Sequence, residues 1–141
     1  MIVKREVKTL EDWKIKIAVL WLFGEVAWLT AVLLLLYEPN GIEQIMAGEI
    51  YGMQIGPEWF LIVAITLLVP LVMAFLSLTL EGSMNRWANI ILGIVFAVLN
   101  LSNLIEGVRW GVAGGILLME LASVVAPALI VWYAWKSKQK A

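Results

Sequence analysis

Four apolar stretches, each close to or beyond the ~20 residues a helix needs to cross the hydrocarbon core of a bilayer, make up most of this 141-residue chain. They run over about 17–37, 59–80, 87–105 and 110–135. Inside lipid every backbone N–H and C=O must find its partner within the protein, which leaves helices and closed barrels as the only spanning structures. The runs are long and lack a strict period of two, so the reading is helical. Breakers fall between them: Glu38-Pro-Asn-Gly, Gly56-Pro57 and Glu81-Gly-Ser. The expected fold is therefore an all-α membrane protein, a single-domain bundle of four transmembrane helices. Composition agrees, since 62% of residues are apolar against roughly 45–50% in soluble domains.

Charge sets the expected orientation. Lys4, Arg5, Lys8, Lys14 and Lys16 precede the first span, Arg86 lies between the second and third, and Lys136, Lys138 and Lys140 follow the last. The loop 38–58 has no basic residue and carries Glu38, Glu43, Glu49 and Glu58. The positive-inside rule then places both termini in the cytoplasm of a multi-pass protein of the cell membrane. The apolar run after the basic flank is too long for a signal peptide and no small-residue cleavage site closes it, so a retained span is expected. Trp13, Trp59, Trp87, Trp110, Trp132 and Trp135, with Tyr37 and Tyr133, fall near the water–lipid boundaries as an aromatic belt. Within the outer loop, residues 41–51 place Ile42, Ile45, Met46 and Ile50 on one side of a short amphipathic helix. Such a helix either lies at the headgroups or acts as a lid over an outward opening.

Polar and small side chains recur at three- and four-residue steps, which keeps them on one face of each span. The stripes are Ala18, Trp21, Glu25, Trp28, Val32; Thr66, Pro70, Met73, Ser77; Asn89, Gly93, Phe96, Asn100, Asn103; and Ala113, Ile116, Glu120, Ser123, Pro127. Four such stripes imply a bundle whose interior is more polar than its lipid face. Gly111-x-x-x-Gly115 is the spacing that permits close helix packing or a homo-oligomer contact.

Glu25 and Glu120 carry the functional question. A carboxylate near the bilayer centre costs ~2.5–3.5 kcal/mol on insertion scales and marks a candidate site. Each lies on the order of one helical turn from its span's midpoint, so similar depth is expected. No Lys, Arg or His lies deep in any span. Three readings remain: a protonated structural hydrogen bond, a site for a proton, cation or small lipophilic ligand, or acid–base catalysis as in a lipid-modifying isomerase. For the second, Glu25 is the charged group, Glu120 its partner, Trp21 and Trp28 the aromatic walls, and Asn100 and Asn103 the neutral ligands. The alternative from another class is a structural or accessory subunit that packs with itself or a membrane partner.

Much chemistry is excluded. The chain has no cysteine and no histidine, which removes thiol redox chemistry, the Ser–His pair and the commonest metal ligands. Asp12 is the sole aspartate, so no intramembrane aspartyl dyad exists. No phosphate-binding glycine loop and no metal motif is present, so neither a cofactor nor a metal is expected. A net charge of −1 gives no reason to expect nucleic acid.

Two resemblances add to this reading. A membrane-embedded Glu25 in the first of four spans, with tryptophan nearby, resembles the small multidrug resistance transporters, and implies a shared proton and cation site at Glu25. The outer acidic loop and Asn85-Arg-Trp-Ala-Asn89 depart from that family. Along nearly the whole chain, Lys14-Ile-Lys-Ile-Ala-Val-Leu-Trp21, Phe75-Leu-Ser-Leu, Asn85-Arg-Trp-Ala-Asn-Ile90 and Ala128-Leu-Ile-Val-Trp-Tyr-Ala-Trp135 resemble a prokaryotic family of four-span proteins classed as a domain of unknown function. That resemblance implies a four-helix integral membrane protein and no particular activity.

Overall fold

The computed structural model describes residues 12–137. The charged flank before Asp12 and the tail bearing Lys138 and Lys140 lie outside the described residues. Four long helices form: α1 (Asp12–Leu35), α3 (Pro57–Thr79), α4 (Gly82–Trp110) and α5 (Gly114–Lys136), with α2 (Gly41–Met46) and a small hairpin of β1 (Glu49–Ile50) and β2 (Met53–Gln54) between α1 and α3. All four long helices are apolar and long enough to cross a membrane. Their outward faces carry Leu22, Phe23, Val26, Phe60, Ile65, Ile94 and Val98, side chains that lipid solvates without cost. Four crossings bring both ends of the described chain to one face, called here the terminal face; α2 and the hairpin occupy the opposite, hairpin face.

Local sequence explains the boundaries. Pro57 opens α3 at a position where its missing N–H is not needed. Gly111 ends α4 with φ 65°, the left-handed conformation that glycine adopts without steric penalty. α4 runs through Trp110, so Trp110 closes the third span instead of opening the fourth. The turn 111–113 therefore splits Gly111 from Gly115, and the expected packing motif does not exist within one helix. A methyl group added at either glycine would meet nothing within 4 Å. Close approach occurs elsewhere: a Cβ on Gly24 would lie 3.0 Å from Ala126 Cβ, and one on Gly93 2.7 Å from Val131 Cγ2. These two glycines seat α5 against α1 and α4.

α5 packs along both α1 and α4, and α3 leans on α1; α3 and α4 touch sparsely. The seam between α3 and α4 is thus open over most of its length. On α3, Pro70, Met73, Ala74 and Ser77 are buried, while none of the residues 57–69 is. The interior stripes hold with frayed outer ends: Val32 and Ala113 are exposed.

The outer loop departs from the expected single amphipathic helix. α2 ends at Met46, and the chain then turns back in a hairpin pairing Glu49 with Gln54 and Ile50 with Met53. Its two-residue turn has φ 49° at Tyr51 and 71° at Gly52, the mirror-image turn that matches strand twist. Ile42, Ile45 and Met46 remain exposed, so α2 is not packed down on the bundle as a plug.

Candidate functional site

Nearer the terminal face, the interior is a closed polar network. Asn89 accepts at Oδ1 from Trp21 Nε1 at 2.8 Å, and Ser77 Oγ, 3.1 Å from the same oxygen, shares its single proton between it and the Met73 carbonyl at 2.6 Å. Asn89 donates from Nδ2 to Asn85 Oδ1 at 2.7 Å and to the Asn85 carbonyl at 2.9 Å. Asn85 Nδ2 in turn donates to the carbonyls of Ser77 and Leu80, and Lys14 Nζ donates to Leu80 as well. Those carbonyls sit at the C-terminal end of α3, where the helix leaves acceptors without intrahelical partners. Ser77, Asn85 and Asn89 have no solvent exposure. The network clamps α1, α3 and α4 together, and none of its side-chain nitrogens or oxygens lacks a partner.

Toward the hairpin face the balance changes. A cavity of about 20 Å³, enough for a water-sized occupant, is lined by residues of all four long helices, among them Trp21, Glu25, Trp28, Thr66, Phe96 and Asn100. Glu25 is 8% exposed and its Oε1 has no hydrogen-bond partner. Two prolines shape the rest. Pro127 lacks the N–H that would have bound the Ser123 carbonyl, and Asn100 Nδ2 takes that carbonyl at 2.7 Å. Because a carbonyl only accepts, this bond fixes the amide orientation and leaves Asn100 Oδ1 as a further acceptor. Pro70 frees the Thr66 carbonyl in the same way, on the chamber's other wall. Thr66 Oγ1 bonds back to Ile62 and offers no proton outward. The chamber thus collects acceptors and aromatic faces, and among the described residues no basic side chain lines it. Trp21 meets Phe96 edge-on at 5.5 Å between centroids.

Glu120 lies elsewhere. It does not line the chamber; its Oε1 accepts from the Tyr51 hydroxyl at 3.3 Å, and Oε2 is buried without a partner. A Cβ on Gly107 would come within 2.5 Å of that oxygen, so the glycine makes room for the carboxyl. Depth separates the two acids. Gly24 lies against Ala126 and the helices are antiparallel, so six residues of rise less one put Glu120 roughly 7–8 Å nearer the hairpin face than Glu25. Side chains lean toward their helix N-terminus, which carries the two carboxyls further apart. The expected similar depth and the expected partnership of Glu25 with Glu120 are corrected accordingly. Carboxylates that share a proton must approach within a few ångström, and these do not line a common space. An isomerase that needs both acids on one substrate loses its geometry.

Of the expected ligands, Glu25, Trp21, Trp28 and Asn100 come together. Asn103 is half-buried, lies outside the chamber lining and makes no hydrogen bond among the described residues. Trp21 has a second task, since its N–H is committed to Asn89. Sequence reading missed Tyr51. Its ring stacks on Trp110 with centroids 6.4 Å apart while its hydroxyl reaches Glu120. Burial first, and then the Glu120 charge and hydrogen bond, push the Tyr51 phenol above the ordinary tyrosine range. A tyrosine with positive φ is uncommon, yet nothing in the linear sequence announces that conformation. Among the described residues no group of three or more acidic side chains is placed to hold a metal ion.

Four apolar helices around a polar interior, two of whose members are buried carboxyls, define an integral, multi-pass type of membrane protein. The chain belongs to the family of unknown function DUF6326, whose family model matches residues 7–141. No curated protein and no solved structure matches it.

Proposed function

We propose that this protein binds a proton or a small monovalent cation at Glu25 and passes it across the cell membrane, with both chain termini in the cytoplasm. The buried, unpartnered Oε1 of Glu25 carries the reading. A carboxyl oxygen in that position needs a donor or a cation, and its neighbours in the chamber offer acceptors and ring faces. The cavity's size favours a proton or an ammonium-sized ion over a lipophilic ligand. Trp28 and Phe96 add a face that attracts cations once water is excluded. The sparse contact between α3 and α4 supplies a route by which the chamber communicates with its surroundings.

The test is reconstitution in liposomes with a pH-sensitive dye inside, under an imposed pH gradient and, separately, an ammonium or potassium gradient. Wild type is expected to dissipate at least one gradient, and Glu25→Gln to abolish that flux while eluting as the same species. Wild-type vesicles indistinguishable from empty ones, or a Glu25→Gln variant with full flux, defeat the proposal.

A further inference from the structure

Glu120 is a buried carboxyl with no part in the Glu25 chamber. It is 4% exposed, and its Oε2 has no partner. That oxygen packs so closely on Gly107 that a single methyl group added there would overlap it. With that side filled and the residue buried, a proton is the one cation that fits without moving the helices. An ionised carboxylate here would keep an unpaired charge, whereas the neutral acid leaves only a carbonyl oxygen unsatisfied, a far smaller penalty.

One hydroxyl joins this carboxyl to the hairpin face. Oε1 accepts from Tyr51 at 3.3 Å, in a bond that is only part-buried. Tyr51 stands in the turn of the hairpin, held by its ring on Trp110 and by Gly52, where a Cβ would come 2.9 Å from the same indole. The other charged groups acting on the phenol are Glu38, which follows α1, and Glu106 on α4. Glu38 accepts from the Ala113 N–H at 3.0 Å, Glu106 pairs with Arg109, and Glu25 lies about 7–8 Å deeper. The phenol is held above its ordinary titration range, so it stays a hydroxyl, with one proton to give and lone pairs to receive another. Acidic groups around it draw protons toward this mouth.

We infer that Glu120 is a second proton-binding site, which exchanges with water at the hairpin face through the Tyr51 hydroxyl. In uptake, a hydronium ion gives a proton to the Tyr51 oxygen while the original hydroxyl proton passes to Glu120 Oε1. The products are water, an unchanged phenol and a neutral carboxylic acid. Release runs the same steps backwards. The site stands apart from Glu25 and remains if the chamber moves no ion.

The experiment is infrared spectroscopy of the full chain in lipid bilayers, following the carboxylic-acid carbonyl band as water is replaced by heavy water. The band shifts when the acid proton exchanges. Wild type is expected to show a band that Glu120→Gln removes and Glu25→Gln leaves in place. Tyr51→Phe keeps the ring on Trp110 and takes away only the hydroxyl. It is expected to slow deuteration of that band about a hundredfold, the lower end of what a positioned proton-transfer group contributes. Should Glu120→Gln fail to fold, the acid band that persists in Glu25→Gln must be the one whose exchange Tyr51→Phe slows. A folded Glu120→Gln that loses no acid band overturns the site. Exchange in Tyr51→Phe as fast as in wild type, or faster, overturns the relay and makes Tyr51 a cover over the acid.

Discussion

The two halves of the bundle interior use the same kinds of residue in opposite ways. Near the terminal face, Trp21, Ser77, Asn85 and Asn89 exchange hydrogen bonds until every donor and acceptor is matched. Toward the hairpin face, Glu25 and Glu120 each keep a buried oxygen with no partner. A matched network in a low-dielectric interior specifies one packing and resists change. An unmatched carboxyl there is costly unless something outside the protein completes it. The contrast divides matched polarity from unmatched polarity within a single helical stripe: Glu25 lies one turn along α1 from Trp21, whose N–H serves the matched network while its ring lines the chamber.

The largest test of this division sets Asn89 against Glu25. Asn89→Leu leaves the Trp21 N–H and the Asn85 amide oxygen buried without partners, at about 1–3 kcal/mol each. A loss of about 2–6 kcal/mol is expected, read as a much lower midpoint of thermal unfolding in detergent. Glu25→Gln breaks no hydrogen bond made by Oε1, so its midpoint should match wild type or exceed it. Equal destabilisation by the two substitutions would erase the distinction between the halves.

A smaller effect is expected at the hairpin. Tyr51→Phe keeps the stacking on Trp110 and removes the hydroxyl from Glu120, which costs about 1 kcal/mol. Amide exchange at residues 49–54 should quicken, because their strand pairing amounts to two residues on each side. The pH dependence has a definite sign. The phenol of folded Tyr51 titrates above its ordinary value, about 10 when unfolded, so the folded state holds this proton more tightly than the unfolded one. The stability advantage of wild type over Tyr51→Phe is therefore full below about pH 10 and shrinks as pH rises beyond it. Alkaline unfolding of the two proteins side by side checks this; an advantage that grew with pH would mean that Tyr51 binds Glu120 as the phenolate.

Much of this organisation was legible in the sequence, and the illegible parts share a physical cause. Apolar runs bounded by Glu38-Pro-Asn-Gly and Glu81-Gly-Ser reveal four spans because the bilayer imposes length and composition directly. Three- and four-residue spacing found the interior face, including Glu25, Asn89 and Asn100. What spacing along one helix cannot supply is the relative height of two helices. Glu25 sits near the middle of α1, but Glu120 lies in the second turn of α5, because that helix starts at Gly114 and not at Trp110. The docking of Gly24 against Ala126 fixes how the two helices stand relative to each other. Tyr51 was hidden for a related reason. Its role depends on a left-handed turn that folds a loop back onto α5, 69 residues away, and tyrosine carries no local preference for that turn. Pro70 and Pro127 stand in the interior stripes of the sequence, whereas the use of the freed Ser123 carbonyl by Asn100 required knowing which helices touch.

The smallest expected effect concerns the glycines that the sequence pairs and the structure parts. Gly115 lies in the first turn of α5 with open space around it, and Gly111 makes the left-handed end of α4. Gly115→Ala should be neutral or slightly stabilising, by less than about 1 kcal/mol, since alanine favours the helix. Gly111→Ala should cost about 1 kcal/mol through the backbone alone, with no change in how helices associate. Thermal midpoints together with chemical crosslinking in native-like vesicles distinguish this from a packing motif. If Gly115→Ala disrupts a crosslinked dimer, the glycine faces a second copy of the chain. The accessory-subunit reading would then regain the contact surface that the turn at 111–113 takes away.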